Sequence, residues 1–429
     1  MMPSRRHAPT FRDGMTLVEM LVATAATLML MGAIAQVFSV FGSAVTNSRS
    51  MIDLDARMRT VAWRLRADLI GVTARPIPPL SPSAGEGYFE IIEGSLTDNT
   101  AGSGTTNLAA DTDDVLLFTT KCSNPPFLGK ATSAMIESPT AEVAWFLRPT
   151  GTTPATYTLF RRQLLVVGYA GFSPFAANAN TTTATSWAAF YDLFDVSARL
   201  EGGVFVPNTL ADLSRRETRF MHNTSGDFTG AGFPYAFPTG SFQASSPPNG
   251  LIFDSALSST RVGEDVVLTN VIAFDVRVFD PAAPVGVQGS DPVIPGDPGF
   301  TGSVANGAYV DLANAQTTPG PSGFPPHFSG SGQRNYRGQA GGMAGRNTWD
   351  TWSTHYETNG ADDDADGTID QGSDGFDNNN NGTVDEPAEQ ETSPPYPYPL
   401  RGVEIRIRCY EPSSRQVRQV TVRHTFVPH

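Results

Sequence analysis

The sequence predicts an α+β protein in which a long amino-terminal membrane-spanning helix packs on an antiparallel β-sheet head that carries large loop-rich insertions. The stretch from Met20 to Ser48 holds 29 consecutive residues without a charge, and a helix needs about 20 apolar residues to cross a bilayer. Several later segments are rich in β-branched and aromatic residues between turn formers, which is typical of strands. The 41 glycines and 33 prolines favour short strands with long connections.

The residues before the apolar helix indicate its orientation in a membrane. Arg5, Arg6, His7 and Arg12 precede it, so the positive-inside rule keeps the first residues in the cytoplasm and places the carboxyl-terminal head outside. A secretory signal has its small cleavage-site residue after the apolar stretch, whereas here the small residue, Gly14, comes before it. We therefore expect a single-pass protein of the cytoplasmic membrane with an extracytoplasmic head.

The segment from Gly14 to Ala23, Gly-Met-Thr-Leu-Val-Glu-Met-Leu-Val-Ala, resembles the leader junction of type IV prepilins and type II secretion pseudopilins. The resemblance implies that residues 1–14 are a leader, that a prepilin peptidase cuts between Gly14 and Met15, and that the new amine of Met15 is methylated. Met15 stands where the family usually has phenylalanine. The alternative is a plain signal anchor that keeps residues 1–14.

Glu19 is an acid inside the apolar helix. An ionised carboxylate in hydrocarbon is costly unless it is paired, so such a residue is a candidate for function. The family resemblance implies a partner, which is the terminal amine of Met15 in the same or a neighbouring subunit. Glu19 is then a residue of filament assembly. In the plain-anchor alternative it is a stray acid near the cytoplasmic end of the helix.

After the membrane-spanning segment, residues 15–48, the pattern predicts an amphipathic continuation over residues 49–71. Apolar residues recur at spacings of three and four with arginines between them, which indicates one helix from about Thr16 to Ile70. Pro76-Ile77-Pro78-Pro79 then stops any helix and begins the head, residues 72–429. The apolar positions are Ile52, Leu54, Met58, Val61, Leu65, Leu69 and Ile70.

Six segments of the head are predicted strands, and the last two have hairpin character because Glu411 to Arg415 between them is rich in turn formers. Apolar residues alternate with charged ones from Val403 to Arg408, as in a half-buried strand. The predicted strands are Val115–Thr119, Glu142–Leu147, Tyr157–Arg161, Val266–Phe279, Gly402–Tyr410 and Val417–Phe426.

Short blocks in a fixed order resemble the type II secretion minor pseudopilin J family, which implies a pilin-like head. The blocks are Arg64–Leu69, Ala74–Pro76, Leu117–Thr120, Ser123–Pro125, Val143–Leu147, Leu159–Arg162, Leu268–Phe274 and Gly402–Ile405. The chain departs from that family by insertions at about 171–262 and 281–400. Within the first insertion, Asn208 to Arg216 reads as a capped short helix.

The second insertion contains a tandem acidic repeat over residues 362–386, whose copies lie 15 residues apart. Oxygen-bearing side chains at positions one, three and five, glycine at six and an acid at nine match the start of a calcium loop. Neither copy has glutamate at position twelve, where Ser373 and Ala388 stand, so Asp374 with Glu386 or Glu389 is expected to complete the coordination. The predicted ligands are Asp362, Asp364, Asp366, Thr368, Asp370 and Asp374, then Asp377, Asn379, Asn381, Thr383 and Asp385.

The repeat has a second interpretation as an acidic, solvated linker. In the calcium interpretation, Ile369 or Val384 attaches each loop to the core, and the affinity lies in the millimolar to submillimolar range that is typical of extracellular modules. The net charge of −14 argues against a nucleic-acid partner. It is compatible with cation binding or with solubility alone.

Cys122 and Cys409 are the two cysteines of the chain, which excludes a thiolate zinc cluster. In an oxidising compartment they can form one disulfide, if the fold brings them within reach. The pairing and two free thiols both remain open.

No enzyme is expected. The six histidines are scattered without zinc-ligand spacing, there is no Walker A loop and no GxSxG or CxxC motif, and no organic cofactor is implied.

The predicted function is a minor pseudopilin, a structural part of the periplasmic pseudopilus of a type II secretion system. Its expected partners are the prepilin peptidase, other pseudopilins or pilins, and the inner membrane. The alternatives are a minor pilin of a type IV pilus and a calcium-dependent exported binding protein on a pilin-type anchor.

Overall fold

The computed structural model describes most of the chain from Gly14 onward. The described residues divide into two compact units, one reaching from the amino-terminal end to Ala56 and including Glu411–Arg415, and the other comprising the rest. They are residues 14–93, 111–122, 124–152, 155–168, 187–201, 204–222, 261, 263–295, 297, 299–314, 321–329, 348–363, 367–386 and 388–426.

One helix, α1 (Leu17–Ile70), has 54 residues and is about 80 Å long at 1.5 Å per residue. Its bounds agree with those expected from the sequence. In the first unit every residue from Gly14 to Thr46 is exposed, including Met29 and Phe38 at 77% and 73%. The helix is long and apolar enough to cross a membrane. Near Ala56 the same unit joins α1 to the turn at 411–415, because Ser413 Oγ lies 2.9 Å from Ser50 Oγ.

In the second unit, the last turns of α1 bury Met58, Val61, Leu65 and Leu69. These residues follow each other at spacings of three and four, so they share one face of the helix. The prediction was wrong for Ile70, which is 77% exposed. Ile70 follows Leu69 directly and is therefore rotated about 100° away from the buried face. In the first unit Ile52 is exposed for the same reason, since it follows the buried Met51.

The described part of the head contains fourteen strands. They are β1 Phe89–Ile92, β2 Val115–Lys121, β3 Phe127–Ala131, β4 Ala134–Ser138, β5 Thr140–Thr152, β6 Ala155–Leu165, β7 Ala198–Glu201, β8 Val204–Pro207, β9 Val266–Gln288, β10 Asp291–Val293, β11 Ala305–Val310, β12 Thr348–Asp350, β13 Gly402–Glu411 and β14 Gln416–Thr425. Ten of them form one sheet with the order β12-β1-β2-β5-β6-β9-β13-β14, in which β10 and β11 also pair with β9. The hairpins β3-β4 and β7-β8 are separate from this sheet. A large antiparallel sheet with one long helix confirms the α+β class.

Each of the six predicted strands lies within, or within one residue of, an observed strand. The strand β9 is longer than predicted, with 23 residues, and it passes through two prolines, Pro281 and Pro284. Proline lacks an N–H donor and is tolerated in a strand at a bulge. The pairing of β9 with β11 shifts register between Asn306 and Ala308, and Gly307 between them has φ +96°. The irregular pairing accommodates Pro281.

Asp68, in the last turn of α1, forms a buried ion pair with the sheet. Its two carboxylate oxygens accept hydrogen bonds of 2.7 Å from Nη2 and Nε of Arg161 on β6. Trp145 on β5 donates its indole N–H to the same carboxylate at 3.0 Å, and Thr120 on β2 donates its hydroxyl to the Asp68 carbonyl at 2.7 Å. One residue of the helix thus contacts three neighbouring strands.

The first insertion contributes to the core of the head within its described part. The helix α2 (Trp187–Leu193) places Phe190 against Phe205 of β8, with ring centroids 4.3 Å apart. Both side chains belong to the same buried cluster as Phe146 of β5 and Phe160 of β6. The described part of this insertion is therefore folded on the sheet.

The predicted short helix over Asn208 to Arg216 is wrong. The structure has two 3-10 turns, Asp212–Ser214 and Arg216–Thr218, because Arg215 between them is extended with ψ 133°. The capping interaction itself is present. The Asp212 carboxylate accepts a hydrogen bond of 2.9 Å from the Thr209 N–H, and the Thr209 hydroxyl accepts one of 3.1 Å from the Asp212 N–H.

The second insertion begins inside β9 and supplies the edge strand β12, which pairs with β1. It also buries several aromatic side chains, so its glycine-rich composition does not predict its packing. A charge network joins it to the first insertion. Arg219 Nη1 lies 2.9 Å from Glu90 on β1 and 2.8 Å from Asp350 on β12, and Arg216 Nη2 lies 2.6 Å from Glu90. The fully buried aromatics of its described part are Phe328, Trp349, Trp352, Tyr356 and Tyr396.

Candidate functional site

Glu19 closes the amino-terminal end of α1. Its Oε2 accepts hydrogen bonds from the Thr16 N–H at 2.9 Å and the Thr16 hydroxyl at 3.0 Å, and the Glu19 N–H donates to Thr16 Oγ1 at 3.2 Å. This reciprocal arrangement is a capping box, which stabilises the start of a helix. The spacing Thr-Leu-Val-Glu is its sequence signal, and our interpretation of the sequence missed it. Glu19 therefore has a local partner in the single chain.

Gly14 and Met15 precede the helix and are exposed, with Met15 at 69%. A Cβ added to Gly14 would meet no described atom within 4 Å. The described structure thus gives no packing reason for a glycine at this position. Residues 1–13 of the predicted leader lie outside the described residues.

The two copies of the acidic repeat agree in local conformation at the equivalent positions that the structure describes. Gly367 and Gly382 have φ of +97° and +94°, and their N–H groups donate to Asp362 and Asp377 at 2.9 and 2.7 Å. The agreement extends to the last acid of each copy. Asp370 and Asp385, at φ +50° and +52°, accept hydrogen bonds from Gly360 and Gly375, which lie ten residues earlier.

Other predicted ligands among the described residues of the repeat also take part in loop hydrogen bonds. Asp374 accepts from the Phe376 N–H at 2.8 Å. Asn381 accepts from the Thr383 N–H at 2.9 Å, and Asn379 donates from its side-chain amide to Glu386 at 2.8 Å. Thr368 belongs to the same loop, whereas Asp364 and Asp366 lie outside the described residues. The structure brings the described acids of each copy into one loop.

Buried glutamates attach both copies to the head. Glu389 accepts backbone hydrogen bonds from Asn379 and Glu386 at 3.0 and 3.2 Å, and Glu391 accepts them from Asp363 and Asp370. Burial raises the pKa of Glu391 to about 7. The sequence indicated Glu389 but not Glu391. Glu391 contacts Asp363 and Asp370 of the first copy, which lie 28 and 21 residues earlier, and no sequence motif indicates contacts at those distances.

The expectation that Ile369 or Val384 attaches the loops to the core was wrong. Their exposed fractions are 53% and 51%. The buried Glu389 and Glu391, with exposed fractions of 2% and 0%, take that role by accepting backbone N–H groups. Polar contacts, rather than apolar ones, fix the repeat.

Cys122 and Cys409 are free thiols in the structure, so the disulfide that the sequence allows is not formed there. Cys122 follows β2 and Cys409 lies on β13, and the sheet order places β5, β6 and β9 between them. Four strand spacings of about 4.8 Å separate them by about 19 Å along the sheet, whereas a disulfide needs Cα atoms within about 7 Å. The Cys409 thiol donates instead to the carbonyl of Thr269 at 3.2 Å.

A group of buried carboxylates was not foreseen from the sequence. Glu93 after β1 and Asp111 and Asp114 before β2 place carboxylate oxygens within 4.8 Å of one another. Burial, followed by the charge of Asp114, raises the pKa of Glu93 well above its usual range. The available signal was the run Asp111-Thr112-Asp113-Asp114 directly before an apolar strand.

Comparison with known proteins found no matching family model, no matching curated protein and no matching solved structure.

Proposed function

We propose that this chain is a minor pseudopilin, a structural and non-enzymatic protein that joins the periplasmic pseudopilus of a type II secretion system after its leader is removed. The observation on which this depends is the amino-terminal helix. It begins at Leu17, two residues after Met15, and from Met20 to Thr46 it exposes a stretch without charges that is mostly apolar. An apolar surface of that length requires lipid or neighbouring helices to cover it.

The contacts of Asp68 support a pilin-like head. Asp68, Thr120, Trp145 and Arg161 come from four of the short blocks that resemble the J family, and they meet in one buried hydrogen-bonded group. In this proposal the group fixes the last turns of α1 to the sheet, as the head of a pilin requires. The insertions then supply surfaces for partners that remain to be identified.

Glu19 has two roles in the proposal. Before assembly its carboxylate caps its own helix through Thr16, as the hydrogen bonds indicate. In the filament it pairs with the terminal amine of Met15 that leader removal creates. Because an acid in an apolar environment needs a partner at each stage, the cap protects the carboxylate until the amine is available.

Mass spectrometry of the amino-terminal peptide from native membranes tests the first step. We expect a chain that begins at N-methylated Met15. Cells that lack the prepilin peptidase, and a Gly14→Leu variant, should keep the leader. The variant should fold normally, because Gly14 is exposed and a Cβ at this position meets no described atom within 4 Å. A native chain that retains residues 1–14 in cells with the peptidase would reduce the segment to an ordinary anchor.

Co-purification separates the secretion pseudopilus from the type IV pilus. Recovery of secretion pseudopilins with the full chain after mild crosslinking is the expected result. Recovery of a major pilin and retraction machinery instead would favour the minor pilin.

A second candidate function is calcium binding by the acidic repeat, which is favoured by the agreement between the described parts of its two copies. Asp362 and Asp377 accept the equivalent glycine N–H groups, and Asp370 and Asp385 have φ angles of +50° and +52°. If an ion occupies each loop, calcium should raise the protease resistance of residues 359–391 in the parent chain. An Asp377→Asn, Asp385→Asn variant should lose the effect in the second copy. Equal digestion with calcium and with EDTA would exclude the ion.

A further inference from the structure

The carboxylates of Glu93, Asp111 and Asp114 converge inside the head, away from the acidic repeat in sequence. The three residues have exposed fractions of 4%, 1% and 1%, and one oxygen of each lies within 4.8 Å of the others. Calcium binds oxygen at about 2.4 Å, so two ligands on opposite sides of one ion are about 4.8 Å apart. The spacing therefore fits a single coordination sphere.

The surroundings add negative charge. Asp113, Asp275 and Asp311 lie close enough to raise the pKa of Asp111 further, after burial and the charge of Asp114. Two arginines of the described chain face these acids. The Nε of Arg277 is 3.1 Å from Asp275 and 3.0 Å from Asp311, and Arg406 is 3.9 Å from Asp275. Six carboxylates therefore lie close together in this part of the head, and like charges held away from water repel one another.

Asp111 supplies an independent observation that points to a ligand. Its Oδ1 is buried and has no hydrogen-bond partner among the described residues. In contrast, Asp114 accepts a hydrogen bond of 2.7 Å from the Val276 N–H, and Glu93 accepts one of 3.3 Å from the Leu312 N–H. A buried carboxylate oxygen without a partner costs free energy, and a metal ion removes that cost.

We propose that Glu93, Asp111 and Asp114 bind a calcium ion that is separate from any ion in the acidic repeat. The donors are carboxylates, without a thiolate or imidazole in the group, and such oxygen sets select hard cations. Calcium fits a site made of buried protein ligands better than magnesium, which keeps several of its waters. Glu93 and Asp111 stand at the two ends of residues 94–110, so the ion joins the end of β1 to the beginning of β2.

Equilibrium dialysis with calcium-45 tests the proposal on the full chain, purified in detergent and stripped with EDTA. The acidic repeat is first disabled with Asp362→Asn, Asp377→Asn and Asp385→Asn. We expect this parent to bind one calcium ion, and an added Asp111→Asn to weaken the binding at least tenfold. Asp291→Asn is the matched control, because Asp291 lies on β10 and is exposed; it should bind calcium as the parent does.

The thermal midpoint gives a second readout that does not depend on counting ions. Calcium should raise the midpoint of the repeat-disabled parent and of Asp291→Asn. Asp111→Asn removes one repelling charge, so its midpoint in EDTA should equal or exceed that of the parent, and calcium should leave it unchanged. A parent that binds no ion, or an Asp111→Asn chain that binds calcium as the parent does, would overturn the proposal. Calcium binding and the thermal midpoint can both be measured whether or not the leader is cleaved and the filament assembles.

Discussion

At the scale of single residues, Asp68 shows how one carboxylate can hold a helix against a sheet. Asp68 and Arg161 are almost fully buried, with side-chain exposures of 4% each. Removing one partner of a buried pair is costly because the other charge stays buried without compensation. Trp145 adds a hydrogen bond to the same carboxylate, so the loss is not confined to the ion pair.

We expect Asp68→Asn to lower the free energy of unfolding of the head by about 3 kcal/mol or more. Asp53→Asn on the same helix is the control, since Asp53 is exposed, and it should change stability by less than about 0.5 kcal/mol. Urea unfolding followed by tryptophan fluorescence gives both values. The double variant Asp68→Leu, Arg161→Met should recover part of the loss, because no unpaired charge remains. Equal stability of Asp68→Asn and the parent would contradict the structure.

Glu19→Gln separates helix capping from charge pairing. Glutamine also serves in a capping box, so the start of α1 should form, and circular dichroism should show unchanged helix content. In the proposed function the variant lacks the charge that pairs with the Met15 amine, so we expect normal leader cleavage but a loss of at least tenfold in recovery from the sheared filament fraction. Assembly of Glu19→Gln at the parent level would leave Glu19 with the capping role alone.

The buried carboxylates predict an unusual dependence of stability on pH when divalent cations are absent. Burial, followed by the charges of neighbouring acids, raises the pKa of Glu93, Asp111 and Asp114. Above the unfolded pKa of about 4 the native state therefore binds more protons than the unfolded state, so stability falls as pH rises toward the raised native pKa.

Urea titrations in EDTA at pH 5, 6, 7 and 8 measure this dependence. As pH rises, the free energy of unfolding should fall by up to about 1.4 kcal/mol per pH unit for each additional proton that the native state binds. Asp111→Asn should make it shallower, whereas the exposed control Asp291→Asn should not. Equal slopes for Asp111→Asn and the parent would show that this cluster is not the cause.

At the scale of elements, the repeat depends on backbone angles that favour glycine. Gly382 has φ +94° and open space around its Cβ position, so Gly382→Ala adds strain without a clash. We expect a loss of about 1 to 2 kcal/mol, seen as faster proteolysis within residues 375–386. Gly302→Ala is the control, since Gly302 also has open space but no positive φ. A resistant Gly382→Ala chain would show that the turn adjusts at little cost.

The sequence predicted long elements well and short ones poorly. α1 and the six longer strands have strong periodicity or β-branched content. By contrast β1, Phe89–Ile92, contains Glu90, which is buried only because Arg216 and Arg219 reach it from more than a hundred residues away. β12 has three residues and gives no periodic signal. β1 was not predicted because its charged residue is paired with distant arginines, and β12 was not predicted because it is too short.

At the scale of the whole molecule, the candidate sites differ in how far the sequence could predict them. The leader junction and the repeat are contiguous motifs, so their residues could be named in advance. The group of Glu93, Asp111 and Asp114 forms only when β1 and β2 pair, and its environment includes Asp275 and Asp311 from β9 and the residues after β11. No local pattern announces such a site, because its members come together through the topology of the sheet.

The thiols provide a test of the sheet order. Because β5, β6 and β9 separate Cys122 from Cys409, we expect two reactive thiols in the denatured, unreduced protein. The thermal midpoint of the parent chain should be the same with and without a reducing agent, as it must be for a Cys122→Ser, Cys409→Ser chain. A single intramolecular disulfide in the native chain would require a different strand order.

The position of β9 has a consequence for biogenesis. β6 precedes it in the chain, but β13, which pairs with residues Val271 to Val278, begins only at Gly402. At a synthesis rate of roughly 5 to 20 residues per second, this edge of β9 stays unpaired for several seconds before β13 is synthesised. An unpaired strand edge invites aggregation. The nascent head is therefore prone to aggregation until β13 has emerged, and truncation before Gly402 should produce a chain that is degraded rather than folded.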